Sequence, residues 1–242
     1  MRLLLTRPTA EASDLDDFVR RAGHTVTLAP MLAITPVAGL LLDLNGVQAV
    51  AVTSRNGARA LAGAIADRGV ALWCVGGGSA AEARQHGFSN VVASSGGVER
   101  LADAMIAKLS PKAGAVLHVC GDHVAGDMVA RLRTSGFSAE RVIGYRSAAI
   151  AHLPPAAVRA LERYEIDAVV LMSSRTAQTF VALIEGRALS TKLARVDAVC
   201  ISPPVAAVAR SLPWRSVHIA DRTDLDGVTR AIERLSRVGA AS

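Results

Sequence analysis

Gln48-Ala-Val-Ala-Val-Thr53-Ser-Arg-Asn56 is an apolar, β-branched run that stops abruptly in hydroxyl and amide side chains, and the pattern returns at Asp167-Ala-Val-Val-Leu-Met-Ser173-Ser-Arg-Thr176. Each reads as a buried strand entering a helix, because Ser, Thr and Asn side chains accept hydrogen bonds from the free N–H groups of a first helical turn. The repetition extends outward from both copies. Val75-Gly-Gly-Gly-Ser-Ala80 falls on Ile201-Ser-Pro-Pro-Val-Ala206, and Phe88–Ser94 falls on Trp214–Ala220. A second piece repeats separately: Leu3-Leu-Leu-Thr-Arg-Pro8 and the strand leading to Met31 match Val116-Leu-His-Val-Cys-Gly-Asp122 and the strand leading to Tyr145. The chain is therefore built as piece a, piece b, piece a, piece b.

Ten candidate strands emerge at Arg2–Thr6, Thr25–Leu28, Ala49–Thr53, Ala71–Val75, Asn90–Ala93, Val116–Cys120, Arg141–Gly144, Ala168–Met172, Ala198–Ile201 and Ser216–Ala220. Between them lie helical stripes, such as Ala58, Leu61, Ala62, Ile65 and Ala66, or Val98, Leu101, Ala102, Met105 and Ile106. Regular alternation of strand and helix predicts an α/β fold with parallel sheets flanked by helices. Ten strands exceed one ordinary sheet, so two lobes of about five strands are expected. Either each half folds alone, or the central b and a form one lobe while the first a and last b form a discontinuous one. In the second case Ala33–Gly46 and Ser147–Pro155 are paired linkers, and a cleft between the lobes would take the ligand.

Composition narrows the function. Apolar residues make up 51% of the 242, enough to bury a core, while no apolar run approaches the roughly 18 residues of a membrane span. Met1 leads straight into a strand, which predicts a cytoplasmic protein without a signal peptide. The net charge of +6 suits an anionic ligand. No basic run or aromatic platform accompanies it, which argues against nucleic acid. Cys74, Cys120 and Cys200 lie apart in apolar runs and read as buried strand residues. His118, Cys120, Asp122 and His123 have metal-ligand types, but neighbouring strand residues point to opposite faces, so no metal site is expected.

Gly76-Gly-Gly-Ser79-Ala-Ala81 fits a dinucleotide fingerprint only superficially, since no acidic residue ends the following strand and no Lys follows the glycines. What remains is a helix N-terminus suited to an anion, with Ser79 beside it. Thr53-Ser54-Arg55-Asn56 and its mate Ser173-Ser174-Arg175-Thr176 offer caps that would also present hydroxyl and N–H groups to a ligand. Tyr145, whose mate is Met31, sits where the chain would leave one lobe for the other. Its phenol could pack there, or donate a proton.

With these motifs in order, the chain resembles the uroporphyrinogen-III synthase family over nearly its whole length. The likeness is carried by Leu4-Leu-Thr-Arg-Pro8, Val52-Thr-Ser-Arg-Asn-Gly57, Val75–Ala80 followed by Gln85-His-Gly-Phe88, Val142-Ile-Gly-Tyr-Arg146, Met172-Ser-Ser-Arg-Thr-Ala177 and Cys200–Ala206. The resemblance selects the interleaved assembly: residues 1–34 with 150–242 form one α/β domain, residues 40–146 the other, and 35–39 and 147–149 make a two-stranded linker. It implies a cofactor-free enzyme that closes hydroxymethylbilane, a linear tetrapyrrole with eight carboxylates, into uroporphyrinogen III. Water leaves ring A, ring D attacks through a spiro intermediate, and ring D is inverted. By position, Tyr145 matches the family's Tyr proposed to help the hydroxyl depart. Arg7, Thr53, Ser54, Asn56, Gly76, Gly78, Ser79, Ser173, Ser174 and Ser202 match positions that would hold carboxylates. The sequence departs from the family pattern at Ser202-Pro-Pro-Val205, where Gly-Pro-x-Thr is common, and at Arg55 and Arg175, where Pro is frequent. A monomer is expected, with hydroxymethylbilane synthase as a candidate transient partner. The alternative is a two-lobed, non-catalytic binding module for a small polyanion.

Overall fold

Strand and helix alternate through the computed structural model, which describes residues 1–124 and 126–240. The chain begins with β1 (Arg2–Leu5), α1 (Thr9–Arg21) and β2 (Thr25–Leu28). It continues through β3 (Leu32–Pro36), β4 (Val47–Val52), α2 (Arg55–Ala64), β5 (Leu72–Val75), α3 (Gly76–Gln85), β6 (Val91–Ser94) and α4 (Gly97–Lys108). Next come β7 (Ala115–Gly121), α5 (Met128–Thr134) and β8 (Ala139–Ala149). The remainder is α6 (Pro155–Glu162), β9 (Ala168–Leu171), α7 (Ser174–Glu185), a 3₁₀ turn, β10 (Asp197–Cys200), α8 (Pro203–Ala209), β11 (Ser216–Ile219) and α9 (Leu225–Ala240).

Two units result. The first joins Met1–Ala33 to the chain from Ala148 onward, and the second is Ile34–Ser147. In the first, five parallel strands run in the order β11-β10-β9-β1-β2. Period-two alternation divides their side chains between two helical layers. Leu4, Val169, Leu171 and Ala198 meet Phe180 and Ala206 of α7 and α8, whereas Leu3, Leu5, Val170 and Val199 meet Leu15, Val19, Val228 and Ile232 of α1 and α9. Phe180 is fully buried and stacks on Trp214 at 5.8 Å between ring centroids. Phe180→Ala is expected to cost about 3–5 kcal/mol of unfolding free energy, measured by urea denaturation, through lost transfer energy and the cavity left behind.

The second unit holds a six-stranded sheet, β3-β8-β7-β4-β5-β6. The pairs from β8 across to β6 are parallel. Val50, Val52, Leu72, Leu117 and Val119 face α2 and α3, while Ala49, Ala51, Trp73 and Val116 face α4 and α5. The expectation of about five strands is corrected to six here. Ala33–Gly46, expected as a linker with its Pro36 and Gly39, instead begins within β3 (Leu32–Pro36), which lies beside β8, with Val37 N–H donating to Gly144 O. Stretches 35–39 and 147–149, expected as a two-stranded linker, carry strand as far as Pro36 and from Ser147 to Ala149. Pro154 and Pro155 mark the start of α6 rather than a linker, since proline suits a first helical turn whose N–H groups have no partner.

Candidate active site

The candidate residues collect at the carboxyl ends of parallel strands, where each chain segment turns into a helix. In the second unit, Ser54 follows β4 in an extended conformation and caps α2, its Oγ accepting from Gly57 N–H at 3.0 Å. In the first, Ser173 follows β9 and caps α7 in the same way, accepting from Thr176 N–H at 3.1 Å. Cap geometry therefore makes Ser54 equivalent to Ser173, one position out of step with the alignment that pairs Arg55 with Arg175. Arg55 is the first residue of α2 and Arg175 the second of α7, so the two guanidiniums do not occupy matching sites.

Tyr145 reaches the α2 cap through a bulge. Cys120 pairs with Ile143, but Gly121 pairs with Tyr145, so β8 carries one extra residue, Gly144, at this point. Bulges place successive residues on one side of a strand and re-aim a side chain. Gly144 lies against α2 so closely that a Cβ would stand 2.7 Å from Ala60 Cβ and 2.9 Å from Val119 Cγ1. The half-buried Tyr145 then turns to the same side, and its Oη lies 3.0 Å from Ser54 Oγ. Its ring covers Gly121, where a Cβ would meet Cε2 at 2.7 Å and Cζ at 2.8 Å. Two glycines thus define where the phenol sits.

Beside it, Thr53 Oγ1 lies 3.3 Å from Nε2 of His118, a residue only 3% exposed on β7. His118 also lines a cavity of about 520 Å³ with Asp127, Arg133 and Arg141. Burial, helped by the positive charge of Arg141 and opposed by Asp127, pushes the imidazolium down to about 4 from 6.5. The native state keeps His118 neutral while the unfolded chain protonates it near the ordinary value. Stability is therefore expected to be full above about pH 6.5 and to fall by up to about 3 kcal/mol as pH drops to about 4, from the difference in bound protons. Urea melts across this range would show the loss, and His118→Gln would lack that component.

The N-termini of α2 and α3 are held side by side. Arg59 of α2 forks onto the buried Glu82 of α3, at 2.8 and 2.7 Å. The Arg55 guanidinium lies across Gly78, where a Cβ would be 3.1 Å from Nε and Nη2. Gly76 opens α3, but Ser79 and Asn56 are buried at 6% and 5% exposure, and Asn56 Oδ1 accepts from Arg59. The first unit presents Arg7, Ser173, Ser174 and Ser202 at the ends of β1, β9 and β10. Arg7 Nη1 approaches Met172 Sδ at 3.9 Å. Ser202 makes no side-chain capping bond, and Pro203 and Pro204 remove two N–H donors from the start of α8. Among the described residues, no three His, Cys, Asp or Glu side chains cluster to hold a metal.

The sequence profile of the family described as Uroporphyrinogen-III synthase HemD matches residues 13–230. The chain belongs to the uroporphyrinogen-III synthase family. Membership gives it the family's reaction, the cyclisation of hydroxymethylbilane to uroporphyrinogen III in tetrapyrrole biosynthesis. Among solved structures, uroporphyrinogen-III synthetase from Helicobacter pylori is similar, at 14% identity and a TM-score of 0.65 over 97% of this chain and 100% of that one. At that identity the likeness shows the shared two-sheet α/β fold. A mutant uroporphyrinogen III synthase from Thermus thermophilus matches at 18% identity over 97% and 99% of the two chains, with a TM-score of 0.48. No curated protein matches the sequence. No helix among the described residues is long and apolar enough to cross a membrane.

Three residues packed around these candidates are not among those the sequence points to: His118, Gly121 and Gly144. His118 was noticed only as one of four metal-ligand types, and the two glycines lie inside motifs already quoted. Their roles depend on which strand lies alongside, which a motif does not carry.

Proposed function

We propose that Tyr145 is the general acid of the cyclisation, a reading supported above all by its 3.0 Å approach to the capped N-terminus of α2. The phenol gives its proton to the hydroxyl on ring A, which leaves as water. Electrons from the pyrrole nitrogen form the exocyclic double bond of an azafulvenium. Ring D attacks it, the spiro intermediate rearranges, and a proton released on closure restores the phenol. General-acid help of this kind contributes about 10²–10⁴-fold.

Folding an octacarboxylate is the protein's other task. Backbone N–H groups and hydroxyls at the starts of α2, α3 and α7 take carboxylates, through Thr53, Ser54, Asn56, Gly76, Gly78, Ser79, Ser173 and Ser174, with Arg7 and Ser202 completing the first unit's share. Ser54, whose hydroxyl is engaged by Gly57 and Tyr145, contributes through its backbone, as do the buried Asn56 and Ser79. The net charge of +6 supports a polyanionic substrate. The two units serve as the enzyme's two domains. The enzyme acts as a cofactor-free cytoplasmic monomer, receiving its unstable substrate from hydroxymethylbilane synthase.

The test is a coupled assay that generates hydroxymethylbilane in situ, oxidises the products and separates the uroporphyrin isomers. Predominance of isomer III supports the reading. Isomer I alone, the spontaneous product, in the presence of folded protein overturns it.

A further inference from the structure

The two equivalent caps use their hydroxyl protons differently. Ser173 Oγ accepts from Thr176 N–H and donates to Thr176 Oγ1 at 2.7 Å, so α7 satisfies its own cap. In α2 the matching third position is Gly57, which has no hydroxyl to receive a proton. Glycine is required there, because a Cβ would stand 2.9 Å from Val119 O. Ser54 Oγ has Gly57 N–H and Tyr145 Oη as its partners, each at 3.0 Å. A backbone N–H can only donate, so of these two partners only the phenol oxygen is able to accept the Ser54 proton.

We propose that Ser54 is a positioning residue for Tyr145, its hydroxyl donating to the phenol oxygen so that the Tyr145 proton points away from α2 and the phenolate left behind is supported. The inference rests on the reading of Tyr145 as the acid and deepens it. Accepting from Gly57 strengthens Ser54 as a donor, since hydrogen bonds in a chain polarise one another. The positive end of α2 favours negative charge on the phenolate oxygen. Capping by itself explains the bond to Gly57. It does not explain why a bulge and two close-packed glycines bring the ring of residue 145 onto the cap.

The chain has two tyrosines, so a Tyr164→Phe background leaves Tyr145 as the sole source of tyrosinate absorbance. Tyr164 packs under Lys192 and Arg195, a contact that Phe keeps. In that background Ser54→Gly preserves most of the cap and removes the donor, and Ser54→Thr restores the donor. Ser54→Gly is expected to raise the Tyr145 ionisation midpoint by about one unit, the effect of losing a hydrogen bond to a charged oxygen. It should lower kcat about tenfold with KM little changed. Ser54→Thr should return both values toward the parent. An unmoved or lowered midpoint in folded Ser54→Gly overturns the positioning role even where Tyr145→Phe is inactive. Full formation of isomer III by Tyr145→Phe overturns the acid itself, so the two failures are told apart.

Discussion

Tyr145→Phe is expected to cut formation of uroporphyrinogen III by roughly 10²–10³-fold while leaving the fold intact, the loss that the proposed general-acid role implies. The substitution removes a single oxygen. The ring that covers Gly121 remains, and so do the β8 bulge and the α2 cap, which uses Gly57 rather than Tyr145. Ser54 loses one neutral hydrogen bond at a half-buried position, worth about 1 kcal/mol, a change small enough to leave a folded protein at ordinary temperature. Hydroxymethylbilane that escapes the enzyme closes unaided to isomer I, so at equal enzyme concentration the ratio of isomers in one reaction measures catalysis against an internal spontaneous reference. A variant that still yields mainly isomer III at the parent rate would remove the phenol from the chemistry.

The second large effect comes from a residue that touches no substrate. Gly121→Ala would put a methyl 2.7 Å from Tyr145 Cε2 and 3.1 Å from Oη, and a ring cannot remain within that distance of a carbon. The phenol must swing away from Ser54 by an ångström or more, and a displacement of that size costs about 10²-fold where geometry carries catalysis. Stability should fall by only about 1–3 kcal/mol, the usual penalty of overpacking, because the ring is half-buried and has room to move. Steady-state kinetics beside a thermal melt distinguishes the outcomes: a large fall in kcat with a modest fall in Tm supports the geometry. Unchanged kcat would mean that the ring position described here is not the one catalysis uses.

Much of the architecture was legible because period-two and period-3.6 patterns survive burial on both faces. Val50 and Val52 must meet α2 while Ala49 and Ala51 meet α4 and α5, which forces the continuous apolar run from which the fold was read. Strand β3 was not legible, because its side chains are largely half-buried or exposed and Pro36 punctuates it. Helix α6 was hidden behind two prolines that read equally well as a linker or as a helix start. At the site, the caps were visible as Ser and Thr at strand ends, but a helix cap and a hydrogen-bond partner for a phenol use the same residue type. The link between Ser54 and Tyr145 spans 91 positions and depends on an extra residue in β8 relative to β7, which only the pairing of the two strands reveals. The one-residue slip between repeat copies has the same origin: identical Arg residues dominated the alignment, whereas the backbone equates the caps.

The pairing of β1 with β9 has a consequence during synthesis. Arg2 and Asp167, hydrogen-bonded where these strands begin, are 165 residues apart, and Leu3, Leu4 and Leu5 between β2 and β9 are completely buried in the finished sheet. A ribosome adding about 5–20 residues per second leaves that leucine-rich segment without its partner for roughly 8–30 s. Meanwhile Ile34–Ser147, contiguous in the chain, has emerged in full and can close its own sheet first. The nascent protein thus carries a finished globule behind an adhesive leader, and the yield of active enzyme in a cell depends on shielding those three leucines until translation passes β9.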